Sequence, residues 1–121
     1  MREHHAYIGF GSNPGNRLEN CQTALAGLAA LSSCTLVRTS SFYETDPVGL
    51  EEQPRFINGV TELQIQKDAH WLLGEMLAIE HSMGRRRDRK WGPRLIDLDL
   101  LFFDDLIIDL PHLKVPHPFL H

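Results

Sequence analysis

Apolar residues recur along this chain with two different periods, and the order in which the periods alternate leaves few folds open. His5–Gly11 carries Tyr7, Ile8 and Phe10 in a short strand-like run, closed by the turn-rich cluster Gly11-Ser12-Asn13-Pro14-Gly15-Asn16. Leu18 to Leu31 follows with Cys21, Leu25, Leu28 and Ala29 on one helical stripe, and Asn16 stands where an N-cap belongs. Thr35–Tyr43 reads as β, and Thr45 to Gln53 as a loop around Asp46-Pro47 and Gly49. In Phe56–Gln66, the set Phe56, Asn58, Val60 and Glu62 alternates with Ile57, Gly59, Thr61, Leu63 and Ile65, which is the two-residue period of a strand. Asp68 caps a second helix running through Met83, with Leu72, Leu73, Met76, Leu77 and Ile79 as its core stripe. A final strand covers Asp97 and its apolar neighbours. The order βαββαβ predicts an α+β, ferredoxin-like fold, an antiparallel sheet with both helices on one face. Asp105–His121 is left as a short C-terminal extension, with extended pieces at Leu106–Ile108 and Leu113–Val115.

The last strand carries unusual cargo. Asp97 and Asp99 are separated by one residue inside Leu95-Ile96-Asp97-Leu98-Asp99-Leu100-Leu101-Phe102-Phe103, so strand geometry puts both carboxylates on one face. Two carboxylates this close repel each other unless a cation sits between them. Leu101 and Phe103 continue the aspartates' alternation, which predicts a strand covered on both faces. Just upstream stands Arg85-Arg86-Arg87-Asp88-Arg89-Lys90-Trp91-Gly92-Pro93-Arg94, which holds six of the twelve Lys and Arg residues. That run carries +5 on a chain whose formal net charge is −4, leaving −9 for the rest. A cationic loop on an acidic protein suits a small polyanion better than a long nucleic acid, which meets a broad basic face. Cationic loop and Asp-x-Asp together match the needs of a magnesium–nucleotide phosphate site. Each feature alone is more often a solvated loop or the wet face of a strand, and it is their adjacency that points to chemistry.

Composition narrows the remaining options. With 121 residues, 42% hydrophobic and 23% charged, the chain fits a single globular domain over residues 1–121. No run approaches the roughly 20 apolar residues of a membrane span, and Met1-Arg2-Glu3-His4-His5 lacks the apolar stretch of a signal peptide. Cys21 and Cys34 make no C-x-x-C, so neither a zinc knuckle nor a redox pair is signalled, and a reduced, cytoplasmic protein is expected. Gly9-x-Gly11-x-x-Pro14-Gly15 misses the dinucleotide fingerprint, and Asn16-Arg17-Leu18 stands where a P-loop needs Gly-Lys-Ser/Thr. Those glycines read as a tight strand-to-helix turn.

Four blocks in order resemble one enzyme family. They are Gly11-Ser12-Asn13, Ser40-Ser41-Phe42-Tyr43-Glu44-Thr45-Asp46-Pro47-Val48-Gly49, Gln53-Pro54-Arg55-Phe56-Ile57-Asn58, and Lys90-Trp91-Gly92-Pro93-Arg94-Leu95-Ile96-Asp97-Leu98-Asp99. They are similar to the 6-hydroxymethyl-7,8-dihydropterin pyrophosphokinases of folate biosynthesis, from about Ala6 to the last residue. The resemblance implies transfer of the β,γ-diphosphate of ATP to the pterin hydroxymethyl group with release of AMP, two Mg²⁺ ions, and small-molecule partners alone, with neither nucleic acid nor membrane. It leaves the oligomeric state open, a monomer included. Members of the family usually run several tens of residues beyond the Pro-His segment. An arginine near the phosphates, an aromatic closing over the pterin and a helix of the family therefore have no counterpart within these 121 residues.

Roles carry over residue by residue as implications of the resemblance. Asp97 and Asp99 match the carboxylates that hold both magnesium ions. Arg85 and Arg87 match catalytic-loop arginines that close over the triphosphate, where a guanidinium fork suits phosphate oxygens. Arg94 matches an arginine on the transferred phosphates, and Trp91 a residue shaping the nucleotide site. Glu80 matches an acid near the nucleotide, Leu100 an apolar contact to adenine, and His117 a histidine on the phosphates. Phe56 matches a ring stacked on the pterin and Asn58 an amide reading its edge, with backbone groups of Thr45 and Val48 completing the pocket. A non-catalytic nucleotide- or metal-binding module is the competing reading, separated by whether ATP and dihydropterin yield AMP. RNA binding is disfavoured, since the third strand lacks the aromatic-rich run of such sheets.

Overall fold

The computed structural model describes residues 3–12, 16–45, 56–84, 95–105, 108–110 and 113–115. In chain order these form β1 (His4–Ser12), α1 (Arg17–Ala29), β2 (Cys34–Thr39), β3 (Tyr43–Thr45), β4 (Phe56–Ile65), α2 (Ala69–Ser82), β5 (Asp97–Phe103), β6 (Ile108–Leu110) and β7 (Leu113–Val115). The main sheet runs β2-β4-β1-β5, antiparallel throughout, with β3 also paired to β4. With β2 and β3 counted as one interrupted strand, this is the βαββαβ order expected of the sequence, and the two longest strands sit in the middle. β6 and β7 pair with each other as a separate hairpin. Of the extended piece expected at Leu106–Ile108, residues 106–107 lie outside the described residues and Ile108 opens the strand Ile108–Leu110, while Leu113–Val115 is a strand as expected.

Both helices start where their caps stand. The Asn16 side chain accepts from the Glu19 backbone N–H and donates to the Glu19 carboxylate at 2.9 Å, and Asp68 accepts from the Trp71 N–H at 2.8 Å. Each helix lays one stripe on the sheet. Cys21, Ala24 and Leu28 of α1 and Ala69, Leu72 and Met76 of α2 are buried against Ala6, Ile8, Phe10, Leu63, Ile65, Leu98, Leu100 and Phe103. Ala29 and Leu77 were expected in these stripes and are exposed, because each falls a quarter-turn or more off the face its helix presents.

Two irregularities depart from the simple pattern. Thr35–Tyr43 is not one strand: Ser40–Phe42 leaves the ladder, and Ser40 bridges the gap by exchanging contacts with Val60, donating its N–H at 2.8 Å and accepting on its hydroxyl at 2.9 Å. The second irregularity is a register shift between β1 and β5 beside Tyr7 and Ile8, which leaves Leu101 unpaired. Past that bulge the alternation inverts. Leu98, Leu100 and Phe103 all face the helices, while Asp97, Asp99 and Phe102 face away. The expectation of a strand covered on both faces is thereby corrected: Phe103 joins the core, and Phe102 is 40% exposed.

Candidate functional site

The face of the sheet turned away from the helices carries the candidate residues in rows. Tyr43 of β3 pairs with Asn58 of β4, Asn58 with Gly11 of β1, and Gly11 with Asp97 of β5. The next row down is Val60, Gly9 and Asp99. Side chains in one row point the same way, and neighbouring strands lie about 4.8 Å apart. Asn58 and Asp97, two strands apart, are therefore separated by about 10 Å at their Cα atoms. Around these rows opens a cleft of ≈ 430 Å³, lined by Asp97, Asp99, Asn58, Phe56, Tyr43 and Leu101, with Gly9 and Gly11 as floor.

The floor is possible because two central residues of β1 have no side chain. A Cβ on Gly9 would sit 3.4 Å from Leu101, and one on Gly11 would sit 2.6 Å from the Asn58 amide oxygen. These glycines are not the turn residues that the sequence pattern suggests. They lie inside a strand and make room above it.

β5 is held in place from two sides. Below the aspartates, the Ser12 hydroxyl, buried at the end of β1, donates to the Leu95 carbonyl and accepts from the Asn20 amide at 3.1 Å. Between the aspartates, the Leu98 N–H donates to the Glu80 carboxylate at 2.9 Å, and Glu80 is only 6% exposed on the inner face of α2. The carboxylates themselves differ in setting, Asp97 half-buried and Asp99 exposed. Further along the same face Arg38 donates to Glu62 at 2.7 Å, and His5 lies 3.4 Å from the other carboxylate oxygen. The Arg38 hydrogen bond above all holds the Glu62 carboxyl below the usual carboxylate range.

Of the residues singled out from sequence, Asp97, Asp99, Phe56 and Asn58 meet in the one cleft, and the Thr45 backbone pairs with Phe56 beside it. Glu80 and Leu100 fall together at the seam of α2 and β5, on the helix side; Leu100 is 4% exposed and belongs to the core. Arg85, Arg87, Trp91, Arg94, Val48 and His117 lie outside the described residues. Tyr43, Leu101, Gly9 and Gly11 were missed. Tyr43 comes to the cleft because the break at Ser40–Phe42 resets its strand, and Leu101 because of the bulge, neither of which is written in a hydrophobic period.

Two carboxylates on one face, cationic residues next in sequence and an aromatic–amide pair two strands away are the groups that a phosphorylated ligand beside a flat polar one calls for. Comparison with known proteins identifies a family. A family model, 7,8-dihydro-6-hydroxymethylpterin-pyrophosphokinase (HPPK), matches residues 7–121. A Pseudomonas aeruginosa protein named 2-amino-4-hydroxy-6-hydroxymethyldihydropteridine pyrophosphokinase is 45% identical over 111 residues, covering 92% of this chain and 68% of that protein. A Pseudomonas putida protein of the same name is 39% identical over 116 residues, covering 96% of both chains. The fold is shared with a crystal structure of an HPPK-DHPS protein in complex with substrates, at a TM-score of 0.67 and 15% identity over 88% of this chain and 29% of that one. The chain belongs to the 7,8-dihydro-6-hydroxymethylpterin-pyrophosphokinase family.

Proposed function

We propose that the cleft above Gly9 and Gly11 is where this enzyme of folate biosynthesis joins its two substrates, with Asp97 and Asp99 at the nucleotide end and Phe56 and Asn58 at the pterin end. The chain transfers pyrophosphate from ATP to the hydroxymethylpterin. The pterin hydroxymethyl oxygen bonds to the β-phosphorus, the bond from that phosphorus to the α–β bridging oxygen breaks, the hydroxyl proton is lost, and AMP leaves. Such a transfer needs positioning and charge neutralisation rather than a covalent nucleophile.

What carries the reading is one row of the sheet, Asn58–Gly11–Asp97, which sets Asn58 and Asp97 on the same open face with their Cα atoms about 10 Å apart. That row gives a fused bicyclic ring an amide to read its polar edge, and the hydroxymethyl arm a course toward the carboxylates of β5. Phe56 offers its ring for stacking. Two hard oxygen donors on one strand face fit Mg²⁺, with phosphate oxygens and water completing each shell, and two ions are the proposed number. When bound, the ions would neutralise the phosphate charge. Arg85, Arg87, Arg94 and His117 are proposed to share that task, with Trp91 shaping the nucleotide site and Val48 completing the pterin pocket. Glu80 and Leu100 at the α2–β5 seam place the base around the edge of β5. A single domain acting as a monomer is the proposed form. Free Cys21 and Cys34 and an ATP co-substrate fit the cytoplasm. No helix among the described residues is long and apolar enough to cross a membrane.

The test is AMP release from ATP plus 6-hydroxymethyl-7,8-dihydropterin. The Asp97→Asn and Asp99→Asn variants are each expected to lose activity by about a hundredfold or more while keeping their circular dichroism spectrum. Formation of ADP, or a variant retaining most of its Mg²⁺-dependent activity, would remove the aspartates from this role. Arg87→Ala is expected to slow turnover much more than it weakens ATP binding, since a residue acting on the transition state is felt there.

A further inference from the structure

We propose that Gly11 is a positioning residue for pterin recognition. Its missing side chain lets the Asn58 amide lie down across β1 toward Asp97, and so sets the angle at which the ligand's edge is read. This rests on the pterin reading of Asn58 given above.

Three glycines in the centre of the sheet have no Cβ for three different reasons. A Cβ at Gly59 would run into ring carbons of Phe10 on the core side, so its emptiness belongs to packing. A Cβ at Gly9 would meet the Leu101 side chain at 3.4–3.6 Å, which is ordinary contact. At Gly11 the nearest atom is the Asn58 amide oxygen at 2.6 Å, followed by the Cγ of the same amide at 3.6 Å and the Ile57 carbonyl at 3.7 Å. Only at Gly11 is the vacant space taken by a polar group that lines the cleft. Nor does the backbone demand glycine there. Gly11 sits in a regular strand, paired on both sides, and the positive-φ glycine among the described residues is Gly84.

An alanine at this place therefore fits the fold but not the amide. Carbon and oxygen need well over 3 Å between them, so the Asn58 head group must lift off β1 by several tenths of an ångström or rotate away. The backbone need not move, since beyond the amide the nearest contact of the added carbon is the Ile57 carbonyl at 3.7 Å. A ligand with a hydrogen-bonding edge then meets its partner at the wrong height. Misplacements of about 1 Å in a positioned group can alter turnover or binding by up to about a hundredfold. The β5 backbone that carries Asp97 and Asp99, held by Ser12 and Glu80, stays where it is.

The experiment compares Gly11→Ala, Asn58→Ala and the double variant, with Gly74→Ala as control, because a Cβ at Gly74 meets nothing within 4 Å. Pterin and ATP dissociation constants, KM and kcat from AMP release, and Tm are measured for each. Gly11→Ala is expected to raise the pterin KM and Kd by about tenfold or more, to leave ATP affinity within about twofold, and to keep Tm close to that of the parent. In the Asn58→Ala background, where no amide is left to displace, the same substitution should add little. Gly74→Ala should leave pterin KM unchanged. The inference is overturned if Gly11→Ala leaves pterin binding intact, if it weakens pterin equally with and without the amide, if ATP affinity falls in parallel, or if the variant no longer folds. If Asn58→Ala itself leaves pterin binding unchanged, the reading of Asn58 has failed and this inference falls with it. If Asn58→Ala weakens pterin and Gly11→Ala does not, this inference fails alone.

Discussion

Phe56 and Asn58 sit two residues apart on one strand face, yet the proposed work of each is different, and single substitutions should separate them. Phe56→Tyr keeps the stacking area and is expected to be nearly silent, whereas Phe56→Ala should weaken pterin binding by about 1–3 kcal/mol. Asn58→Leu should do more harm to selectivity, because a buried polar edge of the ligand would lose its partner. ATP affinity should hold in all three. A Phe56→Ala protein that unfolds, beside an Asn58→Leu protein that binds pterin normally, would turn this face into core. At this scale the aspartates, the ring and the amide were legible because strand alternation needs only a period of two. Gly9 and Gly11 were not, because a glycine in a strand shows its purpose only through what leans over it. Cys21 gives a second check. Burial pushes its thiol up to about 11, and it donates to the Ile57 carbonyl at 3.6 Å. Cys21 is thus expected to resist alkylation at pH 8 in the folded protein and to react only once denaturant opens the α1–β4 contact.

Among the elements, β5 matters most, since it carries both aspartates at the edge of the main sheet. Its alignment depends on side chains from two other elements, Ser12 at the end of β1 and Glu80 on α2. Glu80→Ala would leave the Leu98 N–H without this acceptor in a buried place and is expected to destabilise the protein by about 1–3 kcal/mol. Glu80→Gln keeps an acceptor oxygen and should retain most of the stability. If the acid instead serves mainly to contact the nucleotide, both variants will weaken ATP binding while Tm stays near the parent value. Thermal unfolding and ATP titration of the pair decide this. Helix positions and caps were readable because Asn16 and Asp68 are strong N-caps and the stripes are long. The split of β2 from β3 was not, because Ser40 replaces a ladder contact with its own hydroxyl, and no hydrophobic period records that. The bulge at Leu101 escaped for the same reason: it is created by pairing with β1, not by the local sequence.

For the whole molecule, the order of the periods was enough to give the fold, because a βαββαβ chain with two amphipathic helices has few ways to bury both stripes on one sheet. The charge distribution was legible only in part. The basic run stands out in sequence, but the cross-strand group on the open face does not, since Arg38, Glu62 and His5 are brought together by register alone. That group makes the response to acid predictable in sign. The Arg38 hydrogen bond, outweighing the opposing effect of desolvation and aided by His5, holds the Glu62 carboxyl below its ordinary value. The unfolded chain therefore binds the proton at a higher pH than the folded one does. Stability from this carboxylate is fully present above the unfolded value of about 4.3 and is lost as pH falls through the depressed folded value. Tm should accordingly drop on acidification from pH 5 downward. Glu62→Gln should be less stable than the parent at pH 7 and should lose less on the same descent, so that the two curves converge in acid. Parallel Tm curves for parent and variant would show that Glu62 contributes nothing through its charge. Raised salt should shrink the gap at pH 7 as well, because the Arg38 side chain is largely exposed and its attraction to Glu62 is screened.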